Sequence, residues 1–415
     1  MPVEIISVGS EFIIQDYRNT EIATIAYRLL EIGIEVDHVS SVSDQESRLE
    51  EILRQAIKRS TLIFVLSNVN SGEYDTTKKL LTRILKKRLV LNYRILDGIR
   101  NQYELQGDTM PRTAEKLALV PNDAEILESE TGTVPGFLFS LDTTHVILLP
   151  DNTADIDTML KTYVLPRLDP KTFHSGAVKG CIIKACGLAT ATVKEWLKGI
   201  RRDNWRQTIT YAADGEETSI IVTVRGTMQR DVELKLETLS AQIRKKLGNY
   251  VYGSGSQTLE GVLGACLKDR NDTLAVAESC TGGLIAHKLT NVPGSSAYFD
   301  RGVVCYSNDA KMSLLDVSPN IIEEHGAVSA ETAIAMAEGV RWISQTSYGL
   351  AVTGIAGPSG GTPEKPVGLV YIALASASQK TQCHRKYFSG NRGEIKARTA
   401  QSALDMLRHH VLTES

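Results

Sequence analysis

The 415-residue sequence predicts an α/β protein in three domains, with boundaries at 1–168, 174–252 and 256–415. The chain is longer than one core usually organises. Short apolar segments alternate with amphipathic helical ones in the first and last thirds, the pattern of sheets flanked by helices. Joints rich in proline, glycine or serine, near residues 166–176 and in VYGSGSQ, set off a shorter α+β stretch between them.

The first domain opens with the strand VEIISVGS. In the helix TEIATIAYRLLEIG that follows, Ile22, Ile25, Ala26, Leu29 and Leu30 form one apolar stripe, Thr20 can cap the start and Gly33 can end it. EVDHVSSV is a second strand, and Leu49, Ile52, Leu53, Ala56 and Ile57 stripe the helix ESRLEEILRQAIKRS. TLIFVLSN and a helix from Asp75 continue the alternation, and HVILLP closes it. This succession predicts a parallel sheet whose ligands sit at the carboxyl ends of its strands, where Gly9 and Ser67 lie. TYVLPRLDPKTFHSG reads as a linker.

In the middle stretch GCIIKAC, RQTITYAAD and TSIIVTVRG read as strands, and TATVKEWLKGIRR and DVELKLETLSAQIRKKLG as helices. TLEGVLGACLKDR leads helically into the last domain, whose strands are TLAVAES, RGVVCYS, SYGLAVTG, VGLVYIALAS and TQCHRKYFS. Its helices are GGLIAHKLTN, one from Asn308, SAETAIAMAEGVRWIS and a final one striped by Leu404, Leu407 and Val411, with Arg392 and Arg398 at and near its start.

Hydrophobic residues make up 42% and charged residues 23%, as in an ordinary globular protein. The net charge of -3 argues against general polyanion binding. The six cysteines include no Cys-x-x-Cys pair, structural-zinc spacings are missing, and a reduced cytoplasm suits them. The start MPVEIISVGSEF lacks the features of a secretory signal, and no apolar run approaches the length of a membrane span. A cytoplasmic protein with no membrane partner is expected.

The chemistry gathers where three strands of the last domain end. In AVAESCTGG, Ser279 closes an apolar strand just before a helix, where free N–H groups and the helix dipole favour negative charge. Thr281 can cap that helix, and Gly282 and Gly283 let the backbone pass close to a ligand. Ser279 either satisfies a turn or acts as a nucleophile, and a nucleophilic serine needs a base. His287 and His325 read as surface residues. The next strand ends in CYSNDAK, where Asn308 or Asp309 can cap a helix and put Lys311 in its first turn, within reach of Ser279. A desolvated Lys311 is neutral and can take the serine proton, with Tyr306 relaying it or orienting the amine. The alternative is an exposed lysine beside a core tyrosine. The third strand ends in VTGIAGPSGGTPEKPVG. Its Gly354, Gly357, Gly360 and Gly361 make either a cradle for phosphate or sugar or a plain surface turn, and Thr353 can bond a substrate carbonyl or amide.

AESCTGG, YSNDAK, GAVS and GIAGPSGGTPEKPVGLVYIA together resemble signatures of the competence/damage-inducible CinA family. The family's C-terminal domain is similar to nicotinamide mononucleotide (NMN) deamidases of the PncC type. The resemblance covers nearly the whole chain. It implies hydrolysis of the pyridine carboxamide to nicotinic acid mononucleotide and ammonia, with no cofactor. Ser279 is then the nucleophile and Lys311 its base, with Tyr306 and Thr353 assisting. Asn308, the loop from Gly354 to Gly361 and Arg392 would contact the substrate, Arg392 toward its phosphate. The backbone N–H groups of Ser279, Cys280 and Thr281 would face the oxyanion. A homodimer is also implied.

The first domain resembles molybdopterin-binding proteins, and in some members it is a metal-dependent ADP-ribose pyrophosphatase. Gly9, Glu11, Asn19, Thr20 and GTVPGF fit the pattern. SNVNSGEYDTT stands where members carry Gly-Gly-x-Gly-Pro-Thr-x-Asp-Asp, keeping only Asp75 of the acidic pair, and LPDNTAD replaces Leu-Pro-Gly-x-Pro-x-Glu. Fewer glycines and acids weaken a phosphate cradle and a hard-metal site, so no pyrophosphatase is expected, and a divalent metal only if that site works. The middle domain resembles a small KH-like domain without the Gly-x-x-Gly clamp. Lys194, Lys198, Arg201, Arg202 and Arg206 read as a solvated face, with no nucleic-acid partner expected. A non-catalytic adaptor linked to competence or DNA damage is the remaining reading, and the intact Ser279, Tyr306 and Lys311 speak against it.

Overall fold

The computed structural model describes residues 2–9, 20–69, 73–105, 107–129, 134–141, 143–173, 176–200 and 206–413. Glu11, Asn19, Gly132, Thr133, Arg201 and Arg202 lie outside them. Two compact units emerge: residues 1–180 with 204–207 and 223–236, and residues 181–203 with 208–222 and 237–415.

The first domain carries strands β1 (Val3–Val8), β2 (His38–Val42), β3 (Leu62–Ser67), β4 (Leu89–Leu91), β5 (Leu119–Pro121), β6 (Glu125–Leu127), β7 (Gly136–Leu141) and β8 (Thr144–Pro150). Six of them form one sheet in the order β2-β1-β3-β8-β7-β6, and β4 pairs with β5. The expected parallel sheet is found in β2, β1, β3 and β8. It ends antiparallel because β7 turns directly back into β8. Helices α1 (Thr20–Glu31), α2 (Glu46–Arg59), α3 (Glu73–Ile84) and α4 (Tyr93–Leu105) accompany it. Every residue of β1 and β3 is buried, and alternate positions feed different cores. Ile6, Val8, Ile63 and Val65 pack in one, and Val3, Ile5, Phe64 and Leu66 in the other, as a sheet covered on both faces requires.

The expected linker is instead packed. Helix α5 (Thr153–Met159) runs into a wider π-helical turn over Leu160–Val164 and tight 3-10 turns over Leu165–Arg167 and Pro170–Thr172. Leu160, Val164 and Phe173 are buried, which anchors the segment.

The middle sheet has the order β10-β11-β9-β12. It comprises β9 (Ala177–Cys186), β10 (Arg206–Asp214), β11 (Glu217–Gly226) and β12 (Val251–Ser254), with helices α6 (Thr190–Leu197) and α7 (Gln229–Leu247). The expected Gly/Ser joint VYGSGSQ therefore begins as a strand. β12 pairs antiparallel with β9, which buries Tyr252 and satisfies backbone that a loop would leave to water.

The last domain runs α8 (Leu259–Arg270), β13 (Leu274–Glu278), α9 (Leu284–Thr290), β14 (Phe299–Val304), α10 (Asn308–Leu315), α11 (Pro319–His325), α12 (Ala330–Ser344), β15 (Tyr348–Gly354), β16 (Leu369–Ser376), β17 (Gln382–Tyr387) and α13 (Arg392–Thr413). Its sheet order is β14-β13-β15-β16-β17. β14, β13 and β15 are parallel, while β16 and β17 return antiparallel. The three parallel strands thus end along one edge of the sheet, and their following residues share that edge. No helix among the described residues is long and apolar enough to cross a membrane.

Candidate active site

Ser279 follows directly on β13, whose five residues are all buried. At the neighbouring strand end, Ser307 caps α10 by accepting from the Ala310 amide at 3.0 Å. Asn308 is consequently the first helical residue and not the cap. Lys311 still falls in the first turn, and its side chain runs back over the strand ends. Its Nζ lies 3.1 Å from Ser279 Oγ. Three carbonyl oxygens, of Cys305, Tyr306 and Ser307, surround the same nitrogen at 3.0, 3.3 and 3.5 Å. Lys311 is 1% exposed and Ser279 7%.

Burial lowers the Lys311 pKa from the ordinary lysine value, against weaker contributions from Cys305, Cys280 and Tyr306 that raise it. A neutral amine offers two hydrogens and one lone pair. In that form two of the carbonyls can take its hydrogens and its lone pair can accept from the Ser279 hydroxyl, whereas the ammonium donates to Ser279 Oγ. Burial also pushes the adjacent Cys280 thiol up to about 12. It stays protonated near neutral pH and leaves Ser279 without a competing thiolate.

These groups open into a cavity of about 230 Å³. Cys280, Tyr306, Thr353, Gly354, Gly357, Gly360 and Arg392 line it with them. Arg392, the first residue of α13, donates to Gly357 O at 2.7 Å and to the Tyr306 hydroxyl at 2.9 Å. One arginine thereby ties the glycine-rich loop to the end of β14.

Residues 256–411 match the CinA C-terminal domain, residues 4–170 a probable molybdopterin binding domain, and residues 182–253 the damage-inducible protein CinA KH domain. A CinA-like protein of Dictyoglomus thermophilum is 37% identical over 413 residues, spanning 99% of this chain and 100% of its own. The chain belongs to the CinA family. A CinA-like protein of Dictyoglomus turgidum is 35% identical over 413 residues, with 99% and 100% covered. The crystal structure of the competence/damage inducible protein CihA from Agrobacterium tumefaciens has 41% identity to 38% of this chain, covers 97% of its own, and superposes with a TM-score of 0.36. The CinA architecture here is a molybdopterin-binding-like α/β domain, a KH-like middle domain and a CinA C-terminal α/β domain.

Several groups in this CinA C-terminal domain differ from the sequence expectation. The Ser279 amide donates to Val352 O at 3.0 Å, extending the β13–β15 ladder, and so is not open to an oxyanion. Thr281 does not cap α9: the helix begins after Gly283, at φ 94°, and Thr281 Oγ1 is buried with no partner among the described residues. The cap is Glu278, the last residue of β13 and fully buried. Its carboxylate accepts from the amides of Gly283, Ile285 and Ala286 at 3.0, 3.1 and 2.8 Å. An acid closing an apolar strand was the sequence signal for it. Thr353 Oγ1 donates to Ala327 O at 2.7 Å, so the hydroxyl hydrogen is occupied. The Tyr306 hydroxyl faces Arg392, and it is the Tyr306 carbonyl that orients Lys311.

Thr281, Gly282, Gly283, Asn308 and Gly361 are not brought to the cavity wall, whereas Ala327, Val328, Ile355, Ala356 and Ser359 are. Ala327 and Val328 lie in GAVS, one of the stretches that carried the resemblance. Among the described residues no group of three or more His, Cys, Asp or Glu side chains can hold a metal ion.

Proposed function

We propose that this protein hydrolyses the carboxamide of nicotinamide mononucleotide, giving nicotinic acid mononucleotide and ammonia, with Ser279 as nucleophile and Lys311 as its base. The observation that supports this above any other is the 3.1 Å approach of a buried lysine amine to a buried serine hydroxyl. Neutral Lys311 takes the hydroxyl proton as Ser279 Oγ bonds to the amide carbon. The carbonyl oxygen becomes an oxyanion. Cys280 lines the cavity, and its amide, which faces its own sulfur and no oxygen acceptor among the described residues, is a candidate donor to the oxyanion. The amides of Ala356 and Gly357, on the same cavity and likewise without acceptors among the described residues, are further donors. A donor aimed at the oxyanion is worth about 3 kcal/mol in the transition state.

The Lys311 ammonium then returns its proton to the departing nitrogen, and the C–N bond breaks to release ammonia. Water, deprotonated by the same amine, cleaves the acyl-serine and frees the carboxylate. Arg392 at the cavity mouth offers a fork suited to the phosphate. The reading is tested by incubating the protein with NMN and measuring ammonia and nicotinic acid mononucleotide. Product is expected from the parent and none above background from Ser279→Ala. A folded parent that releases no ammonia refutes it.

A further inference from the structure

We infer that Glu278 is the positioning residue that holds the Ser279 turn in its reactive shape, an inference that rests on Ser279 being the nucleophile. Residues 279–282 are Ser, Cys, Thr and Gly, with Cys280 packed in the core beneath and Ser279 facing the cavity. Their bracing comes from both flanks. On the strand side, Glu278 O accepts from the Cys305 amide at 2.9 Å, and the Ser279 amide donates to Val352 O. On the helix side, the Glu278 carboxylate bends forward over the turn and takes the Gly283 amide and two amides of α9. One residue therefore fixes where the turn starts and where it lands. Gly282 N closes the loop onto Ser279 O at 3.2 Å.

The same arrangement decides what the helix start is for. The N–H groups of Gly283, Ile285 and Ala286, which would otherwise attract a ligand anion, are used by an internal carboxylate. The helix end is a clamp, and the substrate's anionic group is left to the Arg392 side of the cavity. Glutamate suits the task because a fully buried carboxylate without compensating donors is costly, and here both oxygens are matched. A glutamine in its place keeps the volume but turns an NH2 toward an amide that needs an acceptor.

The experiment compares the parent, Ser279→Ala, Glu278→Gln and Glu278→Asp. Readouts are the rate of Ser279 labelling by a fluorophosphonate, kcat and KM on NMN, and the pH profile. For folded Glu278→Gln, labelling and kcat are expected to fall about 10²-fold, the scale of an ångström-level misplacement, with KM and the midpoint of the pH limb unmoved. Glu278→Asp keeps the charge but shortens the reach, and is expected between the two; it carries the test if the glutamine variant does not fold. A labelled parent with an equally reactive Glu278→Gln overturns this inference alone. A pH limb that moves or disappears in Glu278→Gln makes Glu278 a proton-transfer group and overturns the positioning role. A parent whose Ser279 is no more labelled than Ser279→Ala overturns the nucleophile and this inference together.

Discussion

Lys311 is a cation by default that its surroundings favour as a base. Its burial removes water from the ammonium, and the resulting pKa is lower than the ordinary lysine value. The amine works only when unprotonated, so turnover is expected to rise with pH through a limb whose midpoint lies below about 10.4 and then to level off. Lys311→Arg keeps a charge that never leaves, and kcat is expected to fall by about 10²–10⁴-fold in folded protein. Ammonia release across a pH series checks both. A profile still rising beyond the ordinary lysine range would reject the desolvated amine. The pair itself was legible in the sequence because each member depends on local spacing: a serine one residue past a strand, a lysine in the first turn after another. The fate of the Ser279 amide was not, because it depends on the register that sets Glu278 beside Val352 across two strands remote in sequence.

At the scale of elements, the strands and helices around the site follow their apolar periods, and the differences fall at their ends. Ser307 displaced Asn308 as cap because its side chain reaches the Ala310 amide, and Glu278 displaced Thr281 by reaching forward from the preceding strand. Cap rules that look only at neighbouring residues cannot anticipate a carboxylate arriving from a strand. β12 was missed for a related reason: VYGS is too short and glycine-rich to signal a strand, and it becomes one only because β9 offers an edge. Arg392 holds Gly357 O and the Tyr306 hydroxyl with separate nitrogens, and a phosphate would meet the same guanidinium. Arg392→Ala is expected to raise KM for NMN about tenfold or more, the scale of a lost charge-assisted hydrogen bond, with a smaller change in kcat. Arg392→Lys is expected in between, since a single ammonium cannot reproduce the fork. Steady-state kinetics on the two variants decide it, and an unchanged KM in both removes Arg392 from substrate binding.

For the whole molecule, the Ser279–Lys311 pair lies in the last domain, and the residues of the first domain argue against a second, metal-dependent site. The one member of the expected acidic pair that remains in the first domain's altered run, Asp75, lies 2.6 Å from Lys79 Nζ and 3.5 Å from Lys78 Nζ. Lys78 is fully buried, donates to Lys116 O at 2.9 Å, and has its pKa lowered to about 8 by burial, with Asp75 opposing that shift. Tyr74, just before Asp75, is buried and gives its hydroxyl hydrogen to Pro135 O. A divalent cation needs oxygen ligands free of competing ammonium groups, and here a carboxylate already paired with two lysines would have to exchange partners. The 415-residue protein given ADP-ribose with magnesium or manganese is therefore expected to release no AMP above a protein-free control. Running Ser279→Ala beside the parent makes the result specific: metal-dependent AMP release that survives this substitution would assign a second active site to residues 4–170 and overturn the expectation, because no group of the Ser279–Lys311 cavity could account for it.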